Sequence, residues 1–582
     1  MVSRFRMSRR RLRRTVLVSS LLAACCGAWA QANPSAPNPF VEELRQQERE
    51  KALRAAQEKD VDVRLPSGAT TESRRLPETE SPCFRIDHLV LAGELSESFQ
   101  WALQAAAGLQ GDDTPIGRCL GTSGVNIVLA RLQQAVIARG YVTTRVLAAP
   151  QDLASGTLTL TLVPGRIAAI RLAEGSSPHA ALANAIPARP GDLLNLRDIE
   201  QGLENLKRAP TAEADIRIEP STAHGAQPGD SDLIVKYTQA RMLRGTLSLD
   251  DSGTEATGRY QASATVSADH LFALNDLFYV SANHSVNNHL FGDPERGTEG
   301  QTAHYSLPYG YWMLGFTASN SQYHQSVAGL SQDYVYAGQT HNAEVKLARL
   351  LYRDQSRKTT AAIRAFRRES RNLVDDTEIE VQHRVVAGWE ASLSHKEFIG
   401  SATLDGTLAY RQGTGAFGAR RAPEEAFNEG SSHFQLAAAD VTLNAPFQLG
   451  GQKFRYSGQW RAQWNFTPLS PQERFAIGGR YSVRGFDGES SLMAERGWLI
   501  RNDLGWAVGQ SGAELYAGID YGHVSGPSVK QLLGHHLAGA VIGVRGAFKG
   551  LNYDVFIGAP VWKPERYRTA RYTSGFNLNY SF

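Results

Sequence analysis

The stretch GGRYSVRGF, residues 478–486, combines two adjacent glycines, alternating polar and apolar residues, and an arginine enclosed by Val483 and Gly485. Its pattern is that of a strand end or a hairpin. An arginine followed by a glycine and an aromatic residue is unusual there, because a cationic side chain is costly in a partly dry environment unless it is paired. The surrounding sequence must show whether Arg484 lies in such an environment; an arginine in a solvated loop is the alternative.

The surrounding segment, residues 241–582, is rich in glycine, aromatic residues, Ser, Thr and Asn. Polar and apolar residues alternate in short runs such as YQASATVSAD, FYVSANHS and ELYAGIDYG. Regular short strands separated by turn signals predict a sandwich, or a barrel large enough to avoid free edges. At roughly 20 residues per strand and connection, the segment accommodates about 16 strands, an even number typical of an outer-membrane barrel. A soluble β-sandwich is the alternative.

The last residues favour the barrel. Phe576, Leu578, Tyr580 and Phe582 alternate with polar residues, so a strand places all four on one face. An apolar outward face that ends in an aromatic residue suits a lipid-facing strand at the membrane interface.

The N-terminus is expected to be a signal peptide, residues 1–30. Seven arginines precede the apolar run 15–24, and the sequence 28–30 is an A-x-A cleavage pattern. A lipoprotein signal at Cys25 and a twin-arginine signal are weaker alternatives. Removing these residues turns the net charge from +3 to −4, because the segment contains seven basic and no acidic residues. A nucleic-acid partner therefore has no support.

Composition and motifs limit the function further. Hydrophobic residues make up 42%, charged residues 20%, and the mean hydropathy is −0.32. The sequence contains none of the usual hydrolase, metalloprotease or nucleotide-binding motifs in a suitable context, so we expect no enzyme and no cofactor. The histidines are scattered, and His535–His536 and the pair His284 and His289 are interpreted as loop or lumen residues. No metal site is predicted.

Residues 31–60 contain a predicted helix at 41–60, VEELRQQEREKALRAAQEKD, in which strong helix formers dominate. Opposite charges at Glu42–Arg45, Glu48–Lys51 and Glu50–Arg54 have the spacing of pairs along a helix. The apolar residues form no sustained stripe, so this helix is expected to bridge solvent or occupy a polar cavity. Residues 61–82, with three prolines, are predicted to be a linker.

Two small α+β modules are predicted at 83–164 and 165–240. Each runs through strand, helices and two further strands, which indicates an internal repeat; two unrelated modules are the alternative. Cys83 and Cys119 remain after signal removal in an exported chain, where oxidation is expected. A bridge between them would contribute roughly 3–4 kcal/mol. Two unpaired buried thiols are the other interpretation.

Taken together, these features resemble the TpsB transporters of two-partner secretion, in the Omp85 superfamily. The resemblance covers essentially the whole chain after the signal. VRGF alone is a weak match, but its position about 100 residues before a C-terminal Phe, combined with AGIDYG at 517–522, is specific. The cysteine pair favours the haemolysin-activator branch (CdiB-like and ShlB-like) over the adhesin transporter FhaC, which is similar in architecture. Further matches lie at 82–84, 119–120, 250–253, 257–258, 274–276 and 305–310.

The resemblance implies roles for particular residues. Val483, Arg484, Gly485 and Phe486 would form the tip of a loop folded into the barrel lumen. Asp520, followed by Gly522, would be the acidic partner of Arg484 on the wall. The charged helix would be a plug in the pore, with the charged residues Glu42, Arg45, Glu48, Arg49, Glu50 and Arg54.

The implied function is an outer-membrane pore that binds an unfolded, large TpsA-type exoprotein through two periplasmic POTRA domains and exports it without ATP. A monomer in outer-membrane lipid is expected, with a dimer left open. The alternative is an assembly factor for other barrels, like BamA or TamA, which usually carries three or more POTRA domains. A porin or a larger TonB-dependent receptor fits the segment lengths less well.

Overall fold

The computed structural model describes residues 39–58, 61–69, 74–286 and 295–582. The predicted signal peptide, residues 1–30, lies outside the described residues. Helix α1 spans Pro39–Gln57, a shift of a few residues from the predicted 41–60. Within the described part of the chain, no helix is both long enough and apolar enough to cross a membrane.

The first module follows α1 and the linker. Its strands are β1 (Phe84–Arg85), β2 (His88–Gly93), β3 (Cys119–Leu120), β4 (Arg145–Leu147) and β5 (Thr157–Val163); its helices are a 3₁₀ helix (Ser96–Ala107), α2 (Thr122–Ala138) and a 3₁₀ turn (Leu153–Ser155). The sheet order is β2–β5–β4, with β2 parallel and β4 antiparallel to β5. One predicted strand over 84–93 is therefore two, because the chain bends where Asp87 and His88 both donate to the carbonyl of Gly156.

A disulfide joins Cys83 to Cys119, with their Cα atoms 5.3 Å apart. It ties the start of the module to the strand that precedes α2. The apolar core of the module lies between these helices and the sheet and includes Phe99, Leu132 and Leu160, each at most 1% exposed.

The second module repeats the arrangement. It consists of β6 (Ile167–Leu172), α3 (Leu182–Ala185), α4 (Leu196–Leu206), β7 (Ala212–Pro220) and β8 (Ser231–Gln239). The order β6–β8–β7, with β6 parallel and β7 antiparallel to β8, matches that of the first module. Leu203, Leu206 and Tyr237 belong to its separate core.

The remaining chain forms a closed antiparallel barrel of 16 strands, which confirms the predicted fold class. The strands of the wall are β9 (Leu243–Asp250), β10 (Tyr260–Asp269), β11 (Leu277–Val286), β12 (Arg296–Tyr309), β13 (Trp312–Ala328), β14 (Asp333–Arg353), β15 (Arg357–Val374), β17 (Arg384–Ile399), β18 (Ala402–Thr414), β19 (Gln435–Leu449), β20 (Gln452–Asn465), β23 (Arg496–Ala507), β24 (Ala513–Ser525), β25 (His536–Phe548), β26 (Leu551–Trp562) and β27 (Thr573–Ser581).

Short elements decorate the connections: β16 (Thr377–Glu378), β21 (Phe475–Ile477) and β22 (Leu492–Ala494), and the 3₁₀ turns Glu380–Gln382, Pro423–Phe427, Pro471–Glu473 and Pro527–Gln531. The second module contacts the β12–β13 turn, where the amide of Gly310 donates to the carbonyl of Asn184. That end of the barrel therefore faces the modules, and the opposite end carries the longer connections, including the one between β20 and β23.

The barrel closes between β27 and β9. Leu578 pairs with Leu249 and Tyr580 with Leu247, and the terminal Phe582 exchanges two backbone hydrogen bonds of 3.0 Å with Gly245. Tyr580 and Phe582 are about half exposed on the outer surface. The predicted C-terminal stripe thus lies along the closing seam.

Candidate functional site in the barrel lumen

The loop 478–491, between β21 and β22, lies against the inner wall of the barrel. Arg484 at its tip is 4% exposed and donates from Nε to Oδ2 of Asp520 at 2.7 Å and from Nη2 to Oδ1 at 2.8 Å. The backbone amide of Arg484 also donates to Asp520, at 2.9 Å. The planar guanidinium suits this bidentate contact, which a lysine could not reproduce. The structure therefore brings Arg484 and Asp520 together.

A second carboxylate, which the sequence analysis did not identify, completes the site. Asp503 on β23 accepts from Nη1 of Arg484 at 3.3 Å and also from Nη2. It accepts in addition from Arg545 of β25 at 3.2 Å. The local sequence RNDLG places Arg501 and Asp503 on the same face of a strand, but only the β23–β24 register aligns that face with the one carrying Asp520. Two carboxylates thus hold one buried arginine.

Glycines allow the loop backbone to approach the wall. Gly485 has φ 93°, and a Cβ there would lie 2.5 Å from the carbonyl oxygen of Ala559. A Cβ on Gly539 would lie 1.8 Å from the carbonyl oxygen of Arg484. Gly522 also lies close to the loop, since a Cβ there would meet the side-chain atom Cγ2 of Val483 at 2.7 Å. The wall is therefore shaped for this loop.

An apolar cluster holds the other side of the tip. Val483 is fully buried, and Phe486 makes an edge-to-face contact with Tyr567 at a ring-centroid distance of 5.8 Å. The cluster also includes Leu499 of β23 and Val524 of β24. Burial of these side chains fixes the backbone on both sides of Arg484.

Helix α1 lies inside the barrel, because it contacts wall strands on opposite sides. Arg368 of β15 donates to Glu43 at 2.9 Å, and Arg461 of β20 donates to Glu48 at 2.7 Å. At the far end of the helix, Ser267 of β10 donates to the side chain of Gln57 at 2.7 Å. A helix with polar groups on all sides finds partners there that an apolar core could not offer.

Two of the three predicted pairs along the helix form: Arg45 with Glu42 at 3.1 Å and Lys51 with Glu48 at 3.2 Å. In addition, Arg45 donates to the carbonyl of Gly488 in the loop, and Arg49 donates to Gln46 at 3.1 Å.

The third predicted pair is replaced by contacts with the wall. Glu50 accepts from Ser319 at 2.6 Å, and Arg54 donates to Thr317 at 2.9 Å and to Glu344 at 2.5 Å. The wall strands offer hydrogen-bonding groups at the same level of the lumen as Glu50 and Arg54. These contacts replace the ion pair within the helix.

The most buried helix residues were missed by the sequence analysis. Glu43, Gln46 and Gln57 are 8%, 6% and 1% exposed. Together with Glu50 and Arg54 they are spaced three or four residues apart and so lie on one face of the helix. This polar stripe, rather than an apolar one, marks the face that meets β10–β15. A search for polar periodicity could have found it.

The linker after α1 is held by the second module. The amides of Val63 and Leu65 donate to Glu204 at 2.8 Å and Glu200 at 2.7 Å, both on α4. The side chains of Val63 and Leu65 also pack against the apolar core of the module. The linker is therefore bound, although its composition suggested only a tether.

The barrel adds charges to this junction at the β14–β15 turn. Arg353 donates to Glu200 and Glu204, each at 2.9 Å, and Lys358 donates to Asp62 at 2.6 Å. Burial acts to raise the pKa of Asp62, but the hydrogen bond and charge of Lys358, with the charge of Lys396, lower it below its usual value. The junction joins the linker, the second module and the barrel.

A cavity of about 300 Å³ lies between α1, the loop 478–491 and the β18–β20 wall, beside the direct contacts of Arg45 with Gly488 and of Arg461 with Glu48. Its lining is strongly charged and includes Arg45, Glu48, Arg411, Arg461 and Arg480. The helix and the loop therefore share the lumen, with charged, polar space beside their contact.

Of the histidines considered above, His289 lies outside the described residues. His536 begins β25 and His535 directly precedes it, and the fold brings both beside His523 of β24. The sequence gives no hint of this group because His523 is separated from them by the β24–β25 connection.

Comparison with known proteins agrees with this architecture. Residues 229–546 match the family model for the haemolysin secretion/activation protein ShlB/FhaC/HecB. Residues 84–165 match the ShlB-type POTRA domain, and residues 166–220 match a further POTRA domain model. The modules described above therefore correspond to two POTRA domains.

Two curated relatives align over most of the chain. The outer membrane transporter CdiB-2 of Burkholderia pseudomallei is 38% identical over 91% of this chain and 92% of its own length. The outer membrane transporter CdiB of Dickeya dadantii is 27% identical over 97% and 98%. Among solved structures, CdiB from Acinetobacter baumannii superposes with a TM-score of 0.81 and 28% identity, covering 95% of this chain and all of that one.

Proposed function

Since the chain belongs to the haemolysin secretion/activation family of ShlB, FhaC and HecB, we propose that its barrel exports a large exoprotein that binds first to the two POTRA domains. The protein is an outer-membrane transporter of two-partner secretion, and its POTRA domains are periplasmic. Its family implies a TpsA-type partner. The exoprotein itself, a toxin, a haemolysin or an adhesin, is to be identified by experiment.

The observation that carries the proposal is the polar helix in the lumen. Its contacts with the wall are hydrogen bonds and ion pairs, such as Arg461 to Glu48 at 2.7 Å. Water can replace such polar contacts when the helix leaves, whereas an apolar interface would expose hydrophobic surface. We therefore assign α1 as a plug that leaves the pore when the exoprotein enters, and folding of the exoprotein outside drives export without ATP.

The POTRA domains offer sheet edges to an unfolded chain. The orders β2–β5–β4 and β6–β8–β7 leave β2, β4, β6 and β7 at the edges. An extended segment can add to such an edge through main-chain hydrogen bonds, independently of its side chains. Delivery to the pore then follows from the junction between the second POTRA domain and the barrel.

Deletion of the gene, followed by proteomics of the culture supernatant, cell surface and outer membrane, tests the function and names the partner. We expect one very large exoprotein to disappear while other barrels remain. A general fall of outer-membrane barrels would instead identify an assembly factor. No change in either fraction would contradict export.

Crosslinking tests the plug. In the double variant Glu50→Cys with Ser319→Cys, a short reducible crosslinker between the two thiols ties the helix to β13, at the position where the native Glu50 carboxylate accepts from Ser319 at 2.6 Å. A spacer is needed because a cysteine side chain is shorter than a glutamate side chain. We expect the crosslinker to stop secretion and a reductant to restore it. Because the reductant also reaches the Cys83–Cys119 bridge, the unmodified protein and each single variant serve as controls. Unimpaired secretion by the crosslinked protein would exclude release of the helix.

A further inference from the structure

Three histidines meet at the end of the barrel opposite the POTRA domains. They are His523 near the end of β24, His536 at the start of β25, and His535, which directly precedes that strand. One ring nitrogen of each lies within 4.8 Å of those of the other two. Nothing in the proposed export mechanism uses this group.

Strand register explains why the side chains converge. His523 and His536 are direct partners across β24 and β25. The amide of Val524 donates to the carbonyl of His535 at 2.8 Å, so the 524–535 pair is the hydrogen-bonded one. In an antiparallel ladder the adjacent pair, here 523–536, is then a non-hydrogen-bonded pair, in which side chains approach most closely.

The group lies on the outer surface. Asp520 and Val524 of β24 are buried on the inner side, whereas Ile519, two residues from Tyr521 and four from His523, is 64% exposed. Because successive side chains alternate between faces, His523 shares the outward face with Ile519 and Tyr521. His535 is exposed and the other two histidines are half-buried.

Aromatic neighbours contact two of the rings without engaging their nitrogens. The ring of His536 stacks on Trp562 at a centroid distance of 3.6 Å and an angle of 11°, and His523 lies 6.4 Å from Trp498. Stacking uses the face of an imidazole and leaves the lone pairs in the ring plane. Among the residues that the structure describes, no hydrogen bond or ion pair involves a ring nitrogen of the three histidines.

We propose that His523, His535 and His536 together bind one divalent transition-metal ion, Zn²⁺ or its imidazole-preferring neighbours Ni²⁺ and Cu²⁺. Neutral imidazole suits these ions, and three histidines leave an open position for water. A Zn–N bond is about 2.0–2.1 Å, so the nitrogens must approach to roughly 3.4 Å. The exposed His535 ring is the one with most freedom to turn toward the other two.

The bound ion would brace the wall beside the lumen site. It would tie β24 to β25 next to their connection, three residues beyond Asp520 on β24. Its location among Trp498, Tyr521 and Trp562 is an aromatic belt of the kind found at a membrane interface. The site depends on no feature of the exoprotein.

Titration of the purified full chain in detergent with Co²⁺, used as a coloured substitute for Zn²⁺, tests the site. We expect one Co²⁺ per chain with the intense absorption of four-coordinate cobalt, displaced by Zn²⁺. His523→Ala, His535→Ala and His536→Ala should each weaken binding by at least about tenfold, since even outer partners of metal ligands have effects of 10–100-fold. His433→Ala, an exposed histidine on another connection, should bind like the unaltered protein.

Heat-modifiable migration on gels verifies that each variant remains a folded barrel, and His535→Ala is the safest variant because that side chain is exposed. A spectrum identical to that of Co²⁺ in buffer would overturn the proposal. So would unchanged affinity in the His535→Ala variant, which would reduce the group to a two-histidine contact.

Discussion

The loop 478–491 and helix α1 share the lumen, yet they are held in opposite ways. The loop tip combines a buried arginine between two carboxylates with an apolar cluster that includes Val483 and Phe486. Within the described residues, no side chain of α1 belongs to an apolar cluster. The helix is held mainly by polar contacts, with one cation–π contact between Arg384 and Phe40. The difference supports the proposal that the loop stays on the wall while the helix leaves the pore.

The largest expected effect comes from Arg484→Ala. The change leaves Asp503 and Asp520 without their shared cation, and breaking such a buried pair costs about 3–5 kcal/mol. We expect a folded barrel and loss of most secretion of the exoprotein, measured by immunoblot of the medium.

Arg484→Lys is the matched control for the comparison. It keeps the charge but loses the planar fork, so it should restore secretion only in part. Normal secretion by Arg484→Ala would remove the distinction between a permanent loop and a removable helix.

Gly539→Ala should rank second. The new Cβ would lie 1.8 Å from the carbonyl oxygen of Arg484, a backbone atom that cannot move alone. Displacing the loop should cost about 1–3 kcal/mol, as overpacking usually does. The thermal unfolding midpoint in detergent and the secretion assay measure it.

Gly406→Ala, also on a barrel strand, is the control, because its Cβ would meet nothing closer than 3.8 Å. Equal melting of both variants would show that the loop does not depend on its tight fit to the wall.

Glu43→Gln tests how strongly the polar contacts hold the helix in the pore. It removes the charge that Arg368 binds at 2.9 Å while keeping the shape of the side chain. We expect current through the pore in planar bilayers to rise about tenfold, because about 1.4 kcal/mol less would hold the plug, with little change in barrel melting. Lys51→Gln is the control, since the side chain of Lys51 is 66% exposed. Unchanged conductance would mean that the helix is held by something other than its polar contacts.

Salt should have the smallest effect. Raising ionic strength from about 0.1 to 1 M shortens the Debye length from about 10 to 3 Å. Maleimide labelling of Glu50→Cys should accelerate a few-fold, while labelling of Ser491→Cys, a small half-buried residue of the loop that lines the same cavity, stays constant. Equal acceleration at both positions would erase the contrast between them.

Patterns in the sequence predicted much of this fold for identifiable reasons. Alternation in the β-rich segment predicted a sandwich or a barrel, and the strand count and the aromatic stripe ending at Phe582, which lies at the closing seam, favoured the barrel. The repeated order of elements predicted the two modules. Such patterns are local, because side-chain direction repeats every two residues in a strand and every 3.6 in a helix.

The lumen contacts were only partly foreseen. Asp520 was proposed through a family resemblance, but Asp503 and the close approach of Gly539 were not. The polar stripe through Glu43 and Gln57 was missed because apolar residues are the usual guide to a buried helical face.

The sequence by itself therefore determined the classes of structure: a large barrel, two repeated modules, a charged helix and an arginine in a glycine-rich loop. Only the tertiary structure decided the neighbours. It placed Asp503 beside Arg484, exchanged the Glu50–Arg54 pair for contacts with the wall, and assembled His523 with His535 and His536. The physical reason is that these contacts depend on strand register and on a loop and a helix folded into the lumen, and neither leaves a short-range signal along the chain.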